Sequence, residues 1–169
     1  LDRLLRSGFR PTRGILTVAF ANVEAFSRFD PKNPFATRFV DEDFNRVWNA
    51  QTLGGTRRSV ELDRARALKP FVDAADYLLD LHSMLEPSPP VMICGPLAKG
   101  VRFALDLGIP EHVVSDAGHA NGTRMRDYAG FADPDSPRNA LLVECGQHWE
   151  KGAVDVALVW WMLGGLRLR

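Results

Sequence analysis

The sequence predicts an α/β sandwich on a mostly parallel or mixed sheet, and three observations lead there. Short strand-like segments recur at 14–21, 75–81, 91–94, 111–115 and 139–144, the first an almost continuous apolar run. Segments of helical period lie between them, and Pro or Gly marks the joins. Strands covered on both faces lose the polar alternation of a half-exposed strand, and parallel pairing needs helical crossovers of this kind. In such sheets ligands sit beyond the carboxyl ends of the strands, where His82 and Glu144 fall.

Each element has a local reason. Residues 1–7 read as the end of a helix, stopped by Gly8 and the Arg10-Pro11 turn. The run Gly14-Ile-Leu-Thr-Val-Ala-Phe-Ala21 reads as a buried strand, and 22–29 as a short helix capped by Asn22. Asp30-Pro-Lys-Asn-Pro34 is a loop leading into 38–46. Ser59 caps a helix ending before Pro70 or soon after it. The strand at 75–81 places His82 at its carboxyl end. A Pro-rich turn follows, then strand 91–94, helix 98–107 ended by Gly108, strands 111–115 and 139–144, and a closing helix at 153–163. The Gly-, Asp- and Arg-rich stretch 119–137 reads as the mobile or substrate-facing loop.

Composition narrows the function. The 169 residues, 46% hydrophobic and 25% charged, fit one globular domain over 1–169. Lys plus Arg equals Asp plus Glu at 21 each, so no global field recruits nucleic acid or an anionic membrane; anion binding must be local, and small molecules are the expected partners. Cys94 and Cys145 stand in apolar runs and read as reduced core residues, with a nucleophilic Cys145-His148 pair the weaker alternative. No apolar run approaches the roughly 20 residues of a membrane span, which makes cytoplasm the default expectation.

Two segments carry chemistry. Asn45-Arg46, within Arg38-Phe-Val-Asp-Glu-Asp-Phe-Asn-Arg46, can present an amide and a planar guanidinium fork to one carboxylate, which Lys cannot do. His82, in Leu78-Leu-Asp-Leu-His82, projects an imidazole from a rigid element and is a candidate metal ligand. The plainer readings are a structural histidine, a Glu144 buried against some arginine, and an Asn45-Arg46 pair that caps a helix and meets Asp41 or Asp43 in solvent. Arg57-Arg58 and Arg64-Ala-Arg66 read as solvated helix faces, Trp160-Trp161 as core or covered interface, and His148-Trp149 as either pocket lining or core.

Taken in order, the 38–46 segment, Asp80-Leu81-His82 and Val143-Glu144-Cys145-Gly146 resemble the succinylglutamate desuccinylase and aspartoacylase family, a branch of the zinc carboxypeptidase superfamily. The resemblance implies a three-layer sandwich with a mixed, mostly parallel sheet. It implies a zinc-dependent amidohydrolase that deacylates a small N-acyl amino acid or related carboxylate-bearing amide. It makes His82 a zinc ligand, Arg38 the polariser of the scissile carbonyl, Asn45 and Arg46 the carboxylate clamp, and Glu144 the general base. Arg124 is the expected substrate-binding arginine of the late loop, with Arg126 as the alternative; Asp80 would orient the groups around the metal.

One departure stands out. The family draws two further zinc ligands from a His-x-x-Glu motif that occurs nowhere in these 169 residues, so a single zinc ion would need those ligands upstream of Leu1. The chain therefore reads as a partial catalytic domain, with the family's carboxy-terminal β-rich domain expected after Arg169. The rival readings are a zinc carboxypeptidase acting on peptides and a metal-free carboxylate-binding descendant.

Overall fold

A computed structural model of the chain describes residues 6, 8, 10, 11, 13–148 and 150–157. The helix expected over 1–7 and the Trp160-Trp161 pair lie essentially outside that range. The elements in order are α1 (Val23–Ser27), α2 (Ala50–Gly54), α3 (Val60–Ala74), β1 (Tyr77–Met84), β2 (Val91–Ile93), α4 (Ala98–Leu107), β3 (His112–Val114) and β4 (Asn139–Gln147), with 3-10 turns at Phe44–Arg46, Met125–Asp127 and Ala129–Phe131. Residues 151–157 are helical.

The sheet order is β1-β4-β2-β3. β1 and β4 pair in parallel, as do β2 and β3, while β2 meets β4 antiparallel. Two apolar cores lie on the two faces. Leu62, Ala65, Leu68 and Val72 of α3 pack with Trp48, Tyr128 and Ala140 on one side. Ala104 and Leu107 of α4 pack with Leu141, Val143 and Cys145 on the other. The alternation along β4 follows from the strand period of two, and it makes this α/β fold a three-layer sandwich with a mixed, mostly parallel sheet.

Helix ends follow their chemistry. Asn22, Asn49 and Ser59 each accept a hydrogen bond from the backbone N–H three residues on, the usual device for an orphaned first-turn donor. Gly108 closes α4 at φ 71°, in the left-handed region. The helix from Ser59 runs past Pro70 to Ala74. Arg138 then satisfies its last carbonyls, donating from Nε to Ala75 at 2.9 Å and from Nη2 to Val72 at 2.6 Å while its guanidinium lies 4.3 Å from the Phe131 ring.

Three expectations need correction. Residues 15–20 form no strand; Ile15 is 96% exposed and Phe20 68%. A β-forming run becomes a strand only where an edge accepts its hydrogen bonds, and here the carbonyls of Phe20 and Ala21 accept from Arg64 instead. The arginines taken for solvated faces are working donors as well. Arg66 bonds the carbonyls of Thr52, Leu53, Gly55 and Arg57, closing α2 and the loop after it. Finally, much of 119–137 is packed: Arg124, Met125, Arg126, Tyr128 and Phe131 are buried.

The later part of that loop is held by one cation. Lys99 Nζ donates to the carbonyls of Gly130 (3.0 Å), Asp133 (2.6 Å), Ser136 (3.0 Å) and Arg138 (2.7 Å). Replacing Lys99 by Met keeps the stem and strands these acceptors, so urea unfolding should show a loss of about 2–3 kcal/mol, the scale of hydrogen bonds to a charged group. An unchanged urea midpoint would show that water replaces the ammonium without penalty.

Candidate active site

The parallel register of β1 on β4 sets Leu78 opposite Ala140, Asp80 opposite Leu142 and His82 opposite Glu144. These residues share the sheet face that packs against α3, and the two candidate side chains, His82 and Glu144, stand side by side toward the carboxyl ends. Both strands run further than expected, β1 to Met84 and β4 to Gln147, with a register irregularity between His82 and Met84. The pair therefore sits just inside the strand ends.

His82 Nε2 lies 2.9 Å from Asp80 Oδ2. The contact is an ion pair rather than an aligned hydrogen bond, since that buried oxygen has no hydrogen-bond partner. It engages Nε2; with the ring protonated Nδ1 carries a proton as well, which it would have to lose before it could bind a metal. Burial pulls the imidazolium pKa down. Asp80, then Glu144 and Asp43, outweigh it and raise the value to about 9. Glu144 carries the complementary shift: burial raises its pKa most, Asp80 adds to this, and His82 and Arg38 oppose it. Its Oε2 is buried without a hydrogen-bond partner. A carboxylate poised this way is a base with a free lone pair.

The arginine segment is organised around Asp43. Asp43 Oδ1 accepts from the Asn45 N–H at 2.9 Å, capping the 3-10 turn, and Oδ2 lies 3.7 Å from both Arg38 Nη2 and Arg46 Nη2. Arg46 Nη1 also donates to the Asn45 carbonyl at 2.7 Å. Asn45 is buried, and its Oδ1 accepts from the Met125 N–H at 2.9 Å, which leaves the Nδ2 end as the donor for a ligand. Val47 bridges Thr123, and a side chain at Gly122 would collide with the Arg46 carbonyl. The Asn45-Arg46 segment thus leans on the loop that carries Arg124 and Arg126.

Those two arginines differ. Arg124 is tied bidentately to Asp116 at 2.7 and 2.8 Å and through Nε to Asp127 at 2.8 Å, and these bonds push its pKa up. Its fork already holds a carboxylate of the protein. Arg126 contacts Asp127 through Nη2, lies against Gly95 where any side chain would strike its guanidinium, and keeps a buried Nε without a partner.

Two grooves flank these residues. Arg38, Glu42, Asp43, Arg46, His119 and Asn121 line an open one of about 440 Å³. The other, about 250 Å³, is bordered by Cys94, Gly95's neighbour Pro96, Asn139, Arg126 and again His119. The segment near His119 is thus the part of the late loop that faces open space. Neither groove is lined by His82 or Glu144; these couple to the first through the charges of Arg38 and Asp43. Residue pattern did not single out Ser83, whose Oγ lies 2.6 Å from His148 Nδ1 beside this cluster. Cys145 is buried, and desolvation pushes its thiol up to about 11, with Glu144 adding to the shift, which suits an inert core residue.

Zinc finds only part of a site here. Among the described residues no group of three or more His, Cys, Asp and Glu side chains converges on a point that could hold a metal. The His82 imidazole, once deprotonated, would be one ligand, short of the three protein ligands a catalytic zinc takes.

A family model described as the succinylglutamate desuccinylase/aspartoacylase catalytic domain matches residues 2–147. A search of curated proteins returned no match.

The Asp80 contact sets the charge of His82 in the metal-free protein. Asp80→Asn should lower the His82 pKa from about 9 toward its ordinary 6.5, read by NMR titration of the imidazole. The stabilisation from this pair is fully present below the unfolded value and lost as pH rises through the folded one, so the variant should also lose the alkaline fall in stability. A His82 titration unmoved by the substitution would assign the shift elsewhere.

Proposed function

The chain belongs to the succinylglutamate desuccinylase/aspartoacylase family, hydrolases of the carboxypeptidase superfamily, and from that premise we propose that it deacylates a small N-acyl amino acid by attack of water on the amide carbonyl. The observation that carries the reading is the neighbouring pair His82 and Glu144, with Glu144 Oε2 buried and without a hydrogen-bond partner, within electrostatic reach of the Arg38 and Asp43 that line the open groove.

The roles follow from the chemistry of each group. Asn45 Nδ2 and the Arg46 fork take the substrate carboxylate and fix the acyl-amino acid in one orientation. Arg38, sharing Asp43 with Arg46, places positive charge where the carbonyl oxygen becomes an oxyanion. Glu144 accepts the proton of the attacking water and returns it to the departing amine. Arg126 is the better candidate than Arg124 for a further contact to substrate, because Arg124 is spent on Asp116 and Asp127. Zinc, the cofactor expected for the family, would supply Lewis acidity at the carbonyl. The described residues offer it the His82 imidazole, and its other ligands would have to come from outside them.

The test is hydrolysis of a panel of N-acyl amino acids by the intact protein supplied with zinc. Glu144→Gln should lower kcat by about 10²- to 10⁴-fold, the usual worth of a positioned general base, with KM little changed. Retained turnover in that variant would remove Glu144 from the proton-transfer role. Turnover of peptides with none of acyl-amino acids would make the protein a carboxypeptidase.

A further inference from the structure

A buried carboxylate in a protein ordinarily meets a cation. Glu61, in the first turn of α3 and fully buried, instead accepts four neutral donors. Oε1 takes Asn22 Nδ2 at 3.0 Å and the Val40 N–H at 2.6 Å; Oε2 takes the N–H groups of Asp41 at 3.0 Å and Glu42 at 3.3 Å. Three successive backbone N–H groups folded onto one anion form a nest, a conformation the anion itself selects.

The attachment is reciprocal. Asp41 Oδ2 accepts from the Val60 N–H at 2.7 Å, and Glu42 Oε1 accepts from Ser59 Oγ and pairs with Arg57. Residues 40–42 are thereby welded to the start of α3. Arg38 lies two residues before the nest and Asp43 one residue after it, and Asp43 is within ion-pair reach of both Arg38 and Arg46. Exposed pairs at 3.7 Å have little energy with which to fix a loop; the buried carboxylate has more, because moving it would strand several donors at once.

We propose that Glu61 is a positioning residue for the carboxylate clamp, acting through the backbone of residues 40–42 to set the separation of Arg38, Asp43 and Arg46. The inference rests on the functional reading above. The side-chain hydrogen bonds of Glu61 go to the loop and Asn22, whereas the apolar packing of α3 runs through Leu62, Ala65, Leu68 and Val72. Glu61→Gln keeps shape and packing but turns one acceptor oxygen into a donor facing N–H groups.

In the intact enzyme, Glu61→Gln should raise KM for the best-turned-over N-acyl amino acid at least tenfold while kcat changes less than threefold. Amide hydrogen exchange at Val40, Asp41 and Glu42 should quicken at least tenfold. Val72→Ala, which loosens the far end of the same helix, should lower Tm without moving KM. Unchanged exchange in Glu61→Gln would show that the nest does not depend on the carboxylate. Fast exchange with a wild-type KM, or a KM rise matched by Val72→Ala, would reduce Glu61 to a stabilising role. Glu144→Gln in the same assay separates the two levels: if it stays active the functional reading falls, and if it is inactive while Glu61→Gln binds normally only the positioning role falls.

Discussion

The parallel register of β1 on β4 is the constraint from which the site follows. With a side-chain period of two, setting Leu78 opposite Ala140 obliges Asp80, His82 and Glu144 to emerge on the same face. A slip of one residue would send them into the opposite core, where Leu79, Leu141 and Val143 now lie. The apolar alternation that fills two cores therefore also sets where Asp80, His82 and Glu144 emerge. Burial then tunes them: the same low-dielectric face that raises the Glu144 pKa strengthens the hold of Asp80 on His82.

The second constraint is how an exposed arginine loop is kept in register with that rigid sheet. Phe44 anchors the loop in the apolar core beside Trp48, while Asp43 shares itself between two arginines at long range. Order comes from beneath, where Glu61 gathers the N–H groups of residues 40–42 and burial that alone would raise its pKa is overcome by those hydrogen bonds. From the side, Asn45 and Val47 tie the same segment to Met125 and Thr123. Strand-borne groups and loop-borne groups are thus fixed by different physics, apolar register for one and buried hydrogen bonding for the other.

Much of this was legible in the sequence because it rests on local rules. Ser59, Asn22 and Gly108 mark helix ends by capping chemistry, and the runs around 78, 92, 113 and 141 became strands. The motif residues His82 and Glu144 adjoin, and of Asp41 and Asp43 it is Asp43 that stands within ion-pair reach of Arg46. What escaped depends on partners distant in sequence. Glu61 looks like any first-turn glutamate until residues 40–42 fold onto it. Lys99, Arg66 and Arg138 look solvated until carbonyls far along the chain converge on them. The 14–21 run showed the capacity to be a strand and nothing about whether an edge receives it. Arg124 and Arg126 have the same local pattern, and they are separated by distant partners, Asp116 on the fork of the first and Gly95 against the guanidinium of the second.

The central claim is that a carboxylate clamp at Asn45 and Arg46 orients an acyl-amino acid toward Glu144, and it is tested most directly on the substrate. The measurement is kcat/KM of the intact, zinc-supplied protein for an N-acyl amino acid and for the same compound with its α-carboxylate replaced by a carboxamide. Loss of the charge should lower kcat/KM by about 100-fold, as expected when a hydrogen-bonded charge pair loses one partner. Equal values for the two compounds would contradict the account.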